Sequence, residues 1–299
     1  LPAPQRVLVD GVRIDGAALD AISATAGVML TVRSSEISGA TRNAVLAVDA
    51  QSVSIEASFI HGSKGPGVWA ECTTGCGCTR LDVTDTILRD NRIVGVSLVG
   101  AAGTLANVEV SGNGVASNFA PGAGVAASKC STLDARRTRV IDNTGYGVLL
   151  DASTGGLSDI EVSRNLMGLW VQNVDQSAAP VTIERAKLIE NQGVGLGLSN
   201  AASLVTVRSS EIAQTKSTVL PTFSKGAIST KEVGDGLAWT GKSQALLDGV
   251  TLRGNARTSV LIDGSVGAGS RIAAATLLEG DDTKGIVEQH FPADGAAPD

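Results

Sequence analysis

The sequence predicts an all-β chain wound as a single right-handed parallel β-helix, a solenoid of about ten three-stranded coils. An internal repeat, a period of two inside short apolar segments, and an aliphatic composition all point to it. The heptapeptide Thr-Val-Arg-Ser-Ser-Glu-Ile stands at Thr31–Ile37 and again at Thr206–Ile212. An identical stretch within one chain marks a repeat architecture. Of 299 residues, 43% are apolar but only 3% aromatic, and 36 are glycine. A narrow aliphatic core with many tight turns has this composition.

The repeat emerges when the chain is aligned on Asn91, Asn113, Asn143, Asn165, Asn191 and Asn255. Three residues before each stand Leu88, Val110, Val140, Val162, Leu188 and Leu252. Five before stand Thr86, Val108, Thr138, Ile160, Ala186 and Val250, and eight before stand Val83, Leu105, Ala135, Leu157, Ile183 and Leu247. After the asparagine come a glycine and a third apolar pair, such as Val96 with Leu98 or Val148 with Leu150. Alternation over so few residues means half-buried strands rather than helices. The units run mostly 22 to 28 residues. Strands this short find hydrogen-bond partners only by stacking on the next unit, at ~4.8 Å spacing. Three segments per unit give three faces.

Asparagine suits such a turn because it tolerates the left-handed conformation and because its amide can bond to the same group one coil away. The turns Asp90-Asn91, Asp142-Asn143, Arg164-Asn165 and Glu190-Asn191, each followed by a Gly-Val or Gly-Leu strand or its near equivalent, resemble those of the pectate-lyase-like right-handed parallel β-helix proteins, which often carry an asparagine ladder. The resemblance covers roughly residues 30–285. It implies a fold and not an activity, since one fold hosts many functions. A leucine-rich repeat is the structural rival, but its helical half is missing.

Residues 1–29 fit the repeat poorly and are read as an irregular N-terminal coil or cap, with Gly16–Ala26 as a short helix or loop. Residues 30–285 are the β-helix, and 286–299 a C-terminal tail, disordered from Phe291 to Asp299.

The net charge of −6 with scattered Lys and Arg excludes a nucleic-acid partner. No apolar run approaches the ~18 residues that span a bilayer, so no transmembrane segment is expected. The chain begins at Leu1, and the reading is a secreted or cell-surface protein whose leader has been removed. Four cysteines fit export. Cys72, Cys76 and Cys78 crowd one Gly- and Thr-rich loop, and Cys130 occupies the equivalent loop two coils on. Two disulfides are preferred over a metal site or free thiols, because a zinc knuckle needs a second cysteine pair. A disulfide requires Cα atoms within about 7 Å, so the longer loop must lean over to Cys130, leaving its other two cysteines to pair locally.

In the enzymes of the resembling family, sugar chemistry takes place on the outer surface of the first strand. Here one outward column of that strand reads Thr31, Ser54, Asp82, Thr104, Asp134, Gly156 and Thr182. The other reads Arg33, Glu56, Thr84, Ala106, Arg136, Ser158, Glu184, Arg208 and Asp248. Its acids are spread out among Ala, Ser and Thr, which reads as a solvated mixed-charge face. The polygalacturonase and uronan-epimerase motifs are absent: Asn143-Thr144-Gly145 lacks the acid, His61-Gly62 lacks the preceding glycine, and Asp281-Asp282 falls at the last coil. The two histidines, His61 and His290, are read as surface residues.

Function is therefore sought in loops and outward aromatics. The turn Asn113–Gly124 carries Phe119, and a larger excursion, Ala213–Gln244, carries Phe223, Lys225 and Trp239. Trp69 points outward from a third strand; a one-residue slip at Trp170 leaves its direction open. These six are the candidate binding residues, with no catalytic or metal-binding set. The expected function is a non-catalytic structural or binding module for a glycan or protein. The alternative is a polysaccharide-active lyase, hydrolase or epimerase, using a groove between the first-strand face and the excursion. Only that alternative brings in a cofactor, calcium.

Overall fold

The structure is a computed structural model that describes residues 5–114, 122–224, 227–264, 267, 270–273, 277–278 and 286–289. Phe119, Lys225, Asp281, Asp282 and the whole of 290–299, including His290, lie outside the described residues. Three parallel sheets of eleven strands each make up the stack, every third strand in sequence falling into the same sheet. The described residues form no helix. The chain is a right-handed β-solenoid, as its repeat predicts.

The first coil is more regular than the sequence suggests. Gln5–Asp10 pairs in register with Val28–Arg33, Arg13–Asp15 with Glu36–Ser38, and Ile22–Ala24 with the strand Val45–Val48. Residues 16–26, expected as a short helix or loop, thus contribute a strand to the third sheet. At the other end Ile286–Gln289 pairs with Thr258–Asp263.

The apolar residues three, five and eight before each ladder asparagine are all buried, with Ala135 the most exposed of them at 6%. Residues in the left-handed region turn the corners. Between first and second strands these are residues such as Ala57, Asp85, Asn107, Arg137, Asp159 and Arg185. Between second and third strands they are Asp90, Gly112, Asp142, Arg164 and Glu190, each one residue before the asparagine. The asparagine itself is not left-handed, so hydrogen bonding alone accounts for its place.

That bonding is complete. In Asn113, Asn143 and Asn165 the side-chain Oδ1 accepts the backbone N–H of the asparagine one coil below, and Nδ2 donates to the Oδ1 one coil above at 2.9–3.2 Å. Nδ2 also meets a second-strand carbonyl of the coil below, as Asn143 meets Val110 O. Room for the amide comes from a glycine on the third strand of the coil below. A Cβ on Gly124 would stand 2.8 Å from the Asn143 Nδ2, and one on Gly147 2.7 Å from the Asn165 Nδ2.

The excursion is an antiparallel hairpin, Thr218–Ser224 with Ala227–Val233, after which Asp235–Thr240 rejoins the third sheet in register with Val194–Ser199. It therefore leaves the stack at the corner between the second and third sheets and does not wall the first-strand face. Among the described residues the groove expected there does not form.

Candidate functional site

On the first-strand face the two outward columns run in register, Asp134 beside Gly156 and Gly156 beside Thr182, Arg136 beside Ser158 and Ser158 beside Glu184. A hollow of about 390 Å³ opens over Gly156, bordered by Thr104, Asp134, Arg136, Ser158, Thr182 and Glu184. Two glycines make it. Gly155 brings its strand so close to the preceding coil that a Cβ would stand 1.8 Å from the Leu133 carbonyl oxygen. Gly156 leaves a gap in the outward column, where a Cβ would face only the Asp134 Oδ1 at 3.2 Å and the Thr182 Oγ1 at 3.4 Å.

The charges around the hollow differ in how they are held. Asp134 accepts the Gly156 N–H at 3.0 Å. Glu184 lies 3.3 Å from Arg185 and 3.9 Å from Arg208. Asp82, two coils from Asp134, is paired with Arg80 at 2.9 Å and takes no part. Arg136 is exposed, and among the described residues its guanidinium has neither an ion-pair nor a hydrogen-bond partner. Its neighbours on this face and corner do have partners: Arg33 with Asp10, and Arg185 with Asp159. The alternation of the sequence places these residues on this outward face, where they read as solvated surface. Gly156, the one outward position in its column without a side chain, is the sequence signal of the hollow.

The aromatic candidates fall into different settings. Trp69 faces outward on the third sheet, its Nε1 donating to the Glu71 Oε2 at 3.1 Å. Trp170 also faces outward and lies across Gly197 of the next coil, with Tyr146 edge-on at a 6.0 Å ring separation. Trp239 requires correction. It sits on the regular strand that follows the hairpin, points inward, is 2% exposed, and donates from Nε1 to the Ser243 carbonyl. Its neighbours in register, Leu198 and Ile262, are core positions, so it cannot serve as a surface ligand contact. Phe223 lies on the first strand of the hairpin. His61 stacks on Phe59 on the second-strand face and meets Glu36 at 3.2 Å.

Cysteine pairs form between Cys72 and Cys78 and between Cys76 and Cys130, the latter with Cα atoms 5.9 Å apart. The loop crosses the intervening coil above Gly100, where a Cβ would stand 2.9 Å from the Gly75 carbonyl oxygen. Asp49 approaches Cys72 and Cys78 closely enough to suggest a metal site, but both sulfurs are spent in a disulfide. The Asp49 carboxyl is held below the ordinary carboxylate range by hydrogen bonds from Thr73.

A family model described as a right handed beta helix region matches residues 10–173, more than half of the chain. The chain belongs to that family. No curated protein matches its sequence. Among solved structures, the periplasmic alginate epimerase AlgG superposes with a TM-score of 0.56 at 12% identity, covering 99% of this chain and 75% of that one. The pectate lyase Pel9A gives a TM-score of 0.43 at 12% identity, covering 78% and 70%. At 12% identity the likeness to AlgG shows the shared fold alone. Among the described residues no helix is long and apolar enough to cross a membrane.

Proposed function

We propose that this β-helix is an exported, non-catalytic module that binds an acidic polysaccharide along its first-strand face, with the hollow over Gly156 as its grip. One observation carries the reading: Arg136 stands unpaired at the edge of an open hollow whose other charges are already held. A guanidinium matches a carboxylate in two parallel hydrogen bonds. The Ser158, Thr104 and Thr182 hydroxyls offer donors and acceptors for sugar hydroxyls. The two disulfides support export. An alginate-modifying enzyme of the same fold supports the class of ligand, since alginate is a polyuronate.

Turnover is the second reading, favoured by the presence of two carboxylates and an arginine around one hollow. Two features weigh against it. Asp134 and Glu184 stand on strands two coils apart, and the Asp134 carboxylate is tied to the Gly156 N–H. Glu184 is also engaged by the protein's own cations, Arg185 at 3.3 Å and Arg208 at 3.9 Å.

The test is passage over immobilised polymannuronate and polygalacturonate, with and without calcium, while soluble product is assayed. Retention without product is expected, weakened in Arg136→Ala and reversed by salt. Unsaturated or reducing ends above the blank in any arm would replace binding by catalysis.

A further inference from the structure

The outward column of the third sheet reads Leu46, Trp69, Ser97, Ala126, Leu149, Trp170 and Gly197. Its two tryptophans meet opposite surroundings. Trp170 is packed among Tyr146, Met167, Val194 and Val233, the last of these from the base of the hairpin. Trp69 is followed in the next coil by Ser97, too small to cover it. A hollow of about 460 Å³ opens beside it, lined also by Leu46, Ile93, Thr41 and Lys64, with Arg42 and Glu71. Ile93 is 44% exposed. Lys64 is exposed and, among the described residues, its ammonium has no partner. The indole is already fixed by its bond to Glu71, so a ligand meets an ordered surface and little conformational freedom is lost on binding.

We propose that this hollow is a second saccharide site, taking one uronate residue of a glycan, with the pyranose ring on the face of Trp69 and its carboxylate at Lys64. The C–H face of a pyranose is apolar and faintly positive, which suits the negative face of an indole. An aromatic floor with one or two placed polar groups is the usual make-up of a small-molecule site. The class of ligand is the one proposed above, but the two sites share no residue and lie on different faces of one rigid stack. A single molecule therefore grips two polysaccharide strands at once.

Calorimetric titration of the intact protein with a mannuronate hexamer separates the two sites. Two hexamers per chain are expected for the native protein, one for Arg136→Ala, and none for Arg136→Ala combined with Trp69→Leu. Lys64→Gln, a surface change that leaves the fold untouched, should weaken the remaining site of Arg136→Ala at least about tenfold. If Trp69→Leu and Lys64→Gln leave stoichiometry and affinity as they were, the second site is overturned. Cellohexaose binding as tightly as the uronate at the Arg136→Ala protein overturns the carboxylate contact. If Arg136→Ala changes nothing while Trp69→Leu removes one hexamer, the second site stands and the first falls.

Discussion

The Asp134 carboxylate accepts the backbone N–H of Gly156, one coil further along the stack, at 3.0 Å. This bond draws the acid along the sheet and leaves the space above Gly156 free. The two adjacent glycines consequently respond differently to substitution. Gly156→Val fills the hollow against side-chain atoms that can yield. Retention on polyuronate, measured in the Trp69→Leu protein so that only this site is read, should fall at least about tenfold, with stability changed by no more than about 0.5 kcal/mol. Gly155→Ala meets the Leu133 carbonyl instead and should cost roughly 3 kcal/mol or more. Paired melting and retention measurements distinguish them, and equal losses of stability would contradict the geometry.

The asparagine ladder predicts one loss and one gain. Asn143→Ala leaves the buried Asn113 N–H without its acceptor, while the Asn113 amide keeps the Leu88 and Ser111 carbonyls. At about 1–3 kcal/mol for an orphaned donor, urea unfolding should show a loss of roughly that size. At Thr215 the ladder is interrupted, and its buried Oγ1 has no partner. A Cβ on Gly195 would stand 3.2 Å from that hydroxyl, much as the other third-strand glycines stand to their amides. Thr215→Asn should therefore restore the ladder and raise stability by about 1 kcal/mol. A destabilised variant would show that the amide does not fit.

Acid weakens the corners. Arg164 grips Asp142 and Arg185 grips Asp159, each through two hydrogen bonds of 2.7–2.8 Å, and each arginine holds its carboxyl below the ordinary carboxylate range. A depressed value favours the native state while the carboxylate is ionised. Its contribution is full above the ordinary range and is lost as pH falls through the lower native value. The melting temperature should be flat near neutrality and drop below that range. Asp159→Asn should make the drop shallower, and molar salt should shrink the difference, because both groups are exposed. A drop of unchanged depth in Asp159→Asn would assign the acid sensitivity elsewhere.

The two disulfides differ in weight. Cys76–Cys130 closes 54 residues and Cys72–Cys78 closes 6. Chain entropy gives about 4 kcal/mol for the first and about 2 for the second. Replacing Cys76 and Cys130 together by Ser should lower the denaturant midpoint more than replacing Cys72 and Cys78. Gly100→Val, by blocking the loop's crossing, should leave Cys130 reactive to thiol reagents in the folded protein. A protected Cys130 in that variant would mean the loop finds another route.

The coil architecture was legible in the chain because a solenoid writes its core once per turn. Leu88, Val110 and Val140 announce the same buried position at a regular distance from an asparagine. The role of the residue before that asparagine was not legible. Arg164 and Glu190 carry no sign of the left-handed conformation they adopt, since the stack imposes it against their own preference. Trp239 was misplaced because the hairpin hides where the regular coil resumes. The face of the candidate site could be read from alternation. The hollow could not, because it depends on how closely Gly155 approaches Leu133, a contact between residues 22 apart.

The covalent tie from Cys76 to Cys130 also sets how the molecule yields to force. A stack whose coils touch only their neighbours unwinds from an end, one coil at a time, when a bound strand is pulled. Peeling from either end must stop at the tie, since the coils between its anchors cannot part while the sulfurs remain joined. An unravelled end thereby stays attached to a folded middle, and a reducing medium removes that stop.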